Sequence, residues 1–358
     1  MTETTAFQPD FTNLLDAARN VTPRRLPLYE HIISESVMER ILGRSFAGLA
    51  QGDAADRREY MRQYVRFFRE MGYDTVSFER LISAILPGSG ALYSHAEPVL
   101  RDRGDFERYP WGSLPETFFR AYALDYELLG QELPSGMRAV GGPGNGLFEC
   151  VQDLVGYENL CYIAADDPEL YAGLFARMGE VIRAIWRRFL PQFGGSFAVC
   201  RMGDDLGFRS ATLLSPEDIR RLLIPQYRAI VELAHQHGKP FLLHSCGNIL
   251  AVMDDLIDSA GIDAKHSNED AIAPFSVWLE RYGRRIGNFG GVDTDVLCQR
   301  DERGIRDYVR EVVAQARGHG GVALGSGNSI PEYVPPEGYL AMVNEVRALR
   351  GDFRGSPA

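Results

Sequence analysis

The chain has 358 residues, of which 45% are hydrophobic, and a formal net charge of −11. This length allows one large α/β barrel or two domains. An acidic chain without a cluster of Lys and Arg is not expected to bind nucleic acid or an anionic membrane surface. Scattered cysteines do not suggest a disulfide framework, and no segment has the pattern of a signal peptide or a membrane span, so we expect a cytoplasmic protein.

Short apolar segments alternate with helical patterns along the chain. Each apolar segment is typical of a buried parallel strand. They lie at 25–30, 74–79, 138–142, 196–201, 241–243, 262–266, 285–290 and 321–325. Helical spacing is strongest at 54–71 and 168–193, and Ser215 followed by Pro216 is typical of a helix start. The alternation predicts an α/β protein, a single (β/α)8 TIM barrel. A doubly wound open sheet is the alternative, although no G-x-G-x-x-G follows a predicted strand.

The predicted barrel spans residues 25–350. Residues 1–24 form an N-terminal extension, either a short helix over the bottom of the barrel or a loose arm, and residues 351–358 form a C-terminal tail. Residues 80–137 interrupt the alternation after the second strand. Because long insertions in compact proteins usually serve function, we expect this insertion to cover one mouth of the barrel.

The fifth predicted strand ends in the sequence His244-Ser-Cys246. An imidazole and a thiol thus lie at the carboxyl end of a buried strand, just before a helical pattern. In α/β folds, active sites and ligand-binding sites lie at this end of the strands. Neutral imidazole and thiolate are good zinc ligands. The alternative is ordinary, because buried Cys is common and a His at a strand end is often only hydrogen-bonded.

The carboxyl ends of barrel strands face one mouth, and here they carry carboxylate, imidazole and amide side chains, whereas the strand starts carry Arg, Lys, Gly or Asp without such a pattern. These residues are Glu30, His31, Glu79, Asn145, Asp204, Asp205, His266, Asn268, Glu269, Asp293 and Asn328. So many groups in one opening must pair, bind a cation or shift their pKa values. For each acid taken alone, a helix cap is an equal alternative.

The remaining cysteines are interpreted mainly as core residues. Cys150 and Cys161 fall on apolar helix faces, and Cys200 lies within a predicted strand. Cys298 follows Asp293 by five residues and could be a third zinc ligand, but a buried thiol is the better expectation because Cys is often buried.

Several short segments together resemble the uroporphyrinogen decarboxylase superfamily, over about residues 25 to 349. They are Asp-Asp-Leu-Gly at 204–207, Leu-Ser-Pro-Glu at 214–217, Ile-Pro at 224–225, His-Ser-Cys-Gly at 244–247, Gly-Asn-Ser-Ile-Pro at 327–331 and Pro-Pro-Glu at 335–337. The resemblance implies a (β/α)8 barrel, in agreement with the strand pattern.

The superfamily has two branches, and the sequence is closer to the second. Uroporphyrinogen decarboxylases bind a polycarboxylate with arginines near the first strand, but residues 26–32 read Leu-Pro-Leu-Tyr-Glu-His-Ile and offer an acid instead. The corrinoid-dependent methyltransferases of the methylcobamide:coenzyme M type hold zinc with an H-x-C pair and a Cys after the last strand. His244 and Cys246 match that pair, whereas the last position is Asn328, a weak zinc ligand.

The resemblance therefore leaves the third ligand open. It could come from Glu30, Asp205, His266, Glu269 or Cys298, or the site could bind metal weakly or not at all.

Three hypotheses follow. The first is a zinc-dependent methyltransferase that moves a methyl group between a corrinoid, carried by a partner protein, and a thiol or other small acceptor. In it, His244 and Cys246 bind zinc, Asp205 and Glu79 orient substrate or ligands, and the other residues at the strand ends bind substrate. The second is a metal-free decarboxylase or lyase in which Asp204 or Asp205 stabilises a protonated ring. The third is a non-catalytic corrinoid- or tetrapyrrole-binding protein. The oligomeric state is left open.

Overall fold

A computed structural model describes residues 7–93 and 96–352, so residues 1–6 of the predicted extension, 94–95 of the insertion and 353–358 of the tail lie outside the described residues. Within these ranges one parallel sheet has its seven strands in chain order. They are β1 Thr75–Leu81, β2 Arg138–Gly144, β3 Phe197–Gly203, β4 Phe241–His244, β5 Ala264–His266, β6 Gly287–Val292 and β7 Val322–Ser326. Their positions confirm the second to the eighth predicted strands.

The first predicted strand is different. Its backbone pairs with β7 around a single bridge, Leu28 to Leu324, where Tyr29 N donates to Leu324 O at 2.9 Å and Leu324 N donates to Pro27 O at 2.9 Å. On the other side, the Ser77 hydroxyl of β1 donates to the carbonyl of Glu30. Residues 27–30 therefore lie between β7 and β1 as a bridged segment. The described fold is α/β and of the TIM-barrel type, with seven strands where eight were predicted.

Helices follow the strands and cover the outside of the sheet. The α-helices of the described ranges are α1 Thr12–Ala18, α2 Glu35–Leu42, α3 Ala54–Glu70, α4 Arg103–Arg108, α5 Leu114–Glu132, α6 Leu147–Val155, α7 Tyr157–Asp166, α8 Pro168–Phe193, α9 Pro216–Asp218, α10 Ile224–Gln236, α11 Met253–Asp255, α12 Phe275–Tyr282, α13 Thr294–Gln299, α14 Glu302–Ala316 and α15 Pro336–Leu349. Two π-helical turns, Ile219–Leu223 and Leu256–Ala260, follow α9 and α11. Helix α8 has the bounds that its apolar spacing predicts.

Helix α1 closes the end of the barrel at which the strands begin. Its Leu14, Ala17 and Ala18 are fully buried in a cluster with the inward side chains of the strands. A Cβ on Gly287 or Gly321 would meet the carbonyl oxygen of Ala17 at 2.4 or 1.9 Å, so these strand starts approach α1 closely because they carry no side chain. Residues 7–24 thus contain one short helix, α1, which packs against the strand starts.

The insertion after β1 is only partly irregular. Its second half is α5, which packs between α3 and α8 in the outer layer. Before α5, the amides of Gly90 and Leu92 donate to the Asp153 carboxylate at the end of α6. Among the described residues, no helix combines the length and hydrophobicity needed to cross a membrane.

Candidate active site at the carboxyl ends of the strands

The loop after β4 brings Cys246 close to the end of β3. Gly247 has φ +78°, and a Cβ there would lie 2.2 Å from the backbone of Gly207. Only glycine fits this approach, which lets the Cys246 carbonyl accept from Gly207 N at 3.2 Å. The side chain of Cys246 is thereby held at the mouth of the barrel.

Three potential metal ligands converge there. His244 Nε2 lies 3.4 Å from Cys246 Sγ and 3.8 Å from Asp205 Oδ1, and all three atoms lie within 4.8 Å of one another. Asp205 Oδ1 also accepts from Cys246 N at 2.9 Å. His244 is 4% exposed, whereas the Asp205 side chain is 43% exposed, so the site opens to solvent on the side of the carboxylate.

Two further imidazoles surround His244. Its Nδ1 lies 2.7 Å from Nδ1 of His266, whose Nε2 lies 3.0 Å from the Ser326 carbonyl oxygen. The ring of His31 stacks on that of His244 with centroids 3.6 Å apart and planes 3° from parallel. Burial lowers the pKa of all three imidazoles, for His266 to about 3, so they are neutral at pH 7.

The sulfur of Cys246 receives hydrogen bonds from two side chains. Asn328 Nδ2 lies 3.3 Å from Sγ, and the Ser267 hydroxyl lies 3.7 Å from it. Burial raises the pKa of this thiol, and the nearby Asp205 carboxylate acts in the same direction. Asn328, which occupies the position of the expected last-strand cysteine, is therefore a direct neighbour of the candidate site.

Glu79 is paired with an arginine that sequence reasoning did not single out. Arg201 is fully buried on β3, and its Nη2 lies 2.6 Å from Glu79 Oε2. Its Nη1 donates to Tyr29 Oη at 3.1 Å and to the His31 carbonyl at 2.8 Å. Glu79, Arg201 and His31 line a cavity of about 350 Å³. A charged residue ending an apolar strand was the available signal for Arg201.

Glu30 is buried behind β7. It accepts from Ser326 N at 3.0 Å and from the Ser326 hydroxyl. Burial raises the pKa of this carboxyl group to about 8. The structure thus places Glu30 next to Ser326 and fully inside the protein, not on the surface of the mouth.

Asp204 and Asn145 form hydrogen bonds with residues in the first turn of α6. Asp204 accepts from Phe148 N at 3.1 Å and Glu149 N at 2.9 Å, and also from the Tyr227 hydroxyl. Asn145 accepts from the Ser83 hydroxyl at 2.8 Å and donates to Glu149 at 2.9 Å. Asp204 therefore accepts from the first turn of α6, a helix distant in the sequence, and does not act as the N-cap residue of a helix that begins at Asp204.

Glu149 was missed because it lies on a helix and not at a strand end. Its Oε1 accepts from Asp205 N at 3.3 Å, and burial together with the Asp205 and Asp204 carboxylates raises its pKa. An acid in the first turn of a helix was the only signal for it in the sequence.

Asn268, Glu269 and Asp293 lie on the other side of Asn328. Asn268 accepts from Gly291 N at 2.8 Å. Asp293 caps α13 by accepting from Asp295 N at 2.8 Å, and its other oxygen accepts from the amide of Asp270. Glu269, Asp293 and Asn328 together line a cavity of about 310 Å³.

The other cysteines lie apart from this site. Cys150 and Cys200 are buried, as predicted. Cys161 is exposed, so its predicted core position is wrong: on α7 the buried side chains are Leu160 and Ile163, and Cys161 faces solvent. Cys298 is half-buried and lies outside both groups of potential metal ligands among the described residues, Asp205 with His244 and Cys246, and His31 with His244 and His266. The predicted residues that converge are therefore His31, Asp205, His244, Cys246, His266 and Asn328.

The family model for uroporphyrinogen decarboxylase (URO-D) matches residues 93–349, which include every strand from β2 to β7. The chain belongs to the uroporphyrinogen decarboxylase family. A comparison with curated protein sequences gave no significant match.

Among solved structures, the protein is similar to a methyltransferase from Methanosarcina mazei, with 16% identity, a TM-score of 0.69, and coverage of 96% of this chain and 99% of that chain. It is also similar to a B12-independent methionine synthase from Shewanella sp. W3-18-1 in complex with selenomethionine, with 11% identity, a TM-score of 0.54, and coverage of 94% and 97%. At these identities the likeness establishes the fold.

Proposed function

We propose that the protein is a methyltransferase of the uroporphyrinogen decarboxylase family that binds zinc through His244, Cys246 and Asp205. It moves a methyl group between a corrinoid, delivered by a partner protein, and a thiol or other small acceptor. The observation that carries this proposal is the convergence of a nitrogen, a sulfur and an oxygen donor at the open end of the barrel. The methyltransferase among the similar structures supports the same branch of the family.

The donor atoms fit zinc. Tetrahedral zinc, with bonds of about 2.0 to 2.3 Å, keeps its donor atoms roughly 3.3 to 3.8 Å apart. His244 Nε2 lies 3.4 Å from Cys246 Sγ and 3.8 Å from Asp205 Oδ1. Asp205 thus supplies the third ligand that Asn328 cannot, and a site with three protein ligands keeps a fourth position for substrate.

The bound metal would supply one effect, a lowered pKa of a coordinated substrate thiol, which makes it a thiolate at neutral pH. The chain's own residues do the rest. Asn328 and Ser267 donate hydrogen bonds to the sulfur of Cys246 and so stabilise its negative charge. The stacked His31 and His244 rings lie on the buried side of the site, so we expect substrate to enter past the exposed carboxylate of Asp205.

Metal analysis tests the zinc site. Protein purified with zinc and without chelator is expected to carry about one zinc per chain, and Cys246→Ala or Asp205→Ala is expected to lose it. Cys298→Ala is the matched control, because this thiol lies outside the donor group, and it keeps its zinc. Absence of zinc from the wild type, or zinc that persists in Cys246→Ala, overturns the proposed site.

Methyl transfer is tested separately, by the absorbance change of free methylcobalamin as a panel of small thiols is methylated. Turnover by the wild type but not by Cys246→Ala supports the proposal. A protein that binds zinc and corrinoid but does not transfer the methyl group supports the binding-protein hypothesis instead. A metal-free protein that releases CO2 from a carboxylated substrate supports the decarboxylase hypothesis.

A further inference from the structure

We infer that Ser326 and His266 are positioning residues that fix the tautomer of His244, so that its Nε2 carries a lone pair directed at Cys246 and Asp205 even before any metal arrives. We call the Ser326 carbonyl, His266 and His244 the histidine relay. Its role in zinc binding rests on the proposed function, whereas the proton positions themselves do not.

The first step starts at Ser326. Its carbonyl oxygen can only accept a hydrogen bond, and it lies 3.0 Å from His266 Nε2. The proton of this hydrogen bond must therefore sit on Nε2 of His266. A neutral imidazole carries one proton, which leaves Nδ1 of His266 as an acceptor.

The second step joins the two rings. The Nδ1 atoms of His266 and His244 lie 2.7 Å apart, a distance that requires a proton between them. Since Nδ1 of a neutral His266 accepts, Nδ1 of His244 donates. A doubly protonated His266 would reverse the direction, but it would place a charge on an imidazole that is fully buried.

The third step reaches the site. With its proton on Nδ1, neutral His244 has an unprotonated Nε2, which lies 3.4 Å from Cys246 Sγ and 3.8 Å from Asp205 Oδ1. This is the form of histidine that a metal ion or a thiol hydrogen requires. Because Nδ1 of His244 is already hydrogen-bonded, the His244 ring needs neither to rotate nor to lose a proton when a metal ion binds.

The far end of the relay is fixed as well. The backbone amide of Ser326 donates to Glu30 at 3.0 Å, and its hydroxyl bonds to the same carboxyl group. Ser326, whose carbonyl faces His266, is thus held through its own amide and hydroxyl. A continuous hydrogen-bonded chain runs from the buried Glu30 to the half-buried Cys246.

Nitrogen-15 NMR of the metal-free protein tests the relay directly. Long-range proton–nitrogen spectra at pH 7 are expected to show His244 protonated on Nδ1 and His266 protonated on Nε2. In His266→Phe, His244 loses its acceptor and shifts towards the Nε2-protonated form. His266→Gln, whose amide oxygen can accept, restores the Nδ1-protonated form.

His31→Phe is the matched control. It keeps an aromatic ring against His244 but touches neither proton of the relay, so the His244 signals keep their tautomer pattern. If His244 is protonated on Nε2 in the metal-free wild type, the relay is wrong, and this measurement needs no variant to fold.

Zinc competition against a chromogenic chelator gives the second readout. His266→Phe is expected to bind zinc about 10- to 100-fold more weakly, and His266→Gln to recover most of the loss. Zinc affinity unchanged by His266→Phe overturns the positioning role. If the wild type shows the inferred tautomers but binds no zinc, the histidine relay is supported and the proposed function is wrong.

Discussion

Arg201 and Glu79 form an ion pair inside the barrel, with 2.6 Å between Nη2 and Oε2 and almost no exposure of either side chain. Arg201 lies on β3 and Glu79 on β1, with β2 between them. Glu79 was predicted to orient substrate or metal ligands. In the structure its carboxylate pairs with the Arg201 guanidinium, which also donates to the Tyr29 hydroxyl and to the backbone of His31.

The first prediction concerns this pair. Glu79→Gln leaves the Arg201 charge buried without compensation, so we expect it to destabilise the fold by about 3–5 kcal/mol. Urea unfolding measures the change. Glu79→Leu combined with Arg201→Met removes both charges and should be more stable than Glu79→Gln alone. A Glu79→Gln variant as stable as the wild type would show that the pair does not compensate a buried charge.

The adjacent acids Asp204 and Asp205 are predicted to differ, because Asp204 affects stability and Asp205 affects zinc binding. Asp204→Asn weakens the cap of α6 and is expected to cost about 1–2 kcal/mol of stability while zinc is retained. Asp205→Asn still accepts from Cys246 N but loses the charge that favours a cation, so zinc binding weakens while stability stays within about 0.5 kcal/mol. Thermal unfolding and zinc titration of both variants check this. The same phenotype in both would contradict the assigned roles.

The third prediction restores a sulfur ligand. Asn328→Cys puts a thiol next to Cys246, because Asn328 Nδ2 already lies 3.3 Å from Sγ. Since thiolate is a much better zinc ligand than amide, zinc affinity should rise in reducing buffer. Asn328→Ser is the control, which removes the amide without adding a thiol. Equal affinities for Asn328→Cys and the wild type would place the bound zinc away from Cys246.

The fourth prediction concerns Glu30, whose folded-state pKa of about 8 lies above its ordinary value of 4.5. Between these values the folded protein holds a proton that the unfolded chain has released. Stability contributed by this group therefore falls as pH rises from 5 to 8, at up to about 1.4 kcal/mol per pH unit. Unfolding of Glu30→Gln, which cannot titrate, should lack this slope. Parallel curves for the two proteins would show that Glu30 keeps its ordinary pKa.

Much of the fold could be predicted because buried strands and amphipathic helices leave a periodic trace. The apolar runs predicted β1 to β7, and α8 had its bounds from spacing alone. The segment at 25–30 looked the same but formed only one bridge, since strand pairing depends on neighbours that a local pattern does not contain.

The candidate site was predictable where a side chain ends a strand and points into the mouth, as for His244, Cys246 and Asp205. It was not predictable where partners come from distant parts of the chain. Nothing local to Asp204 says that the amides of Phe148 and Glu149 take up its carboxylate, and nothing local to Ser326 says that its carbonyl holds His266.

The bridged segment has one more consequence. Tyr29, Glu30 and His31 each touch a different part of the site, namely Arg201, Ser326 and His244, yet they lie outside residues 93–349, which identify the family. Substitutions at Tyr29, Glu30 or His31 can therefore change which molecule the barrel binds without changing residues 93–349, which match the family model.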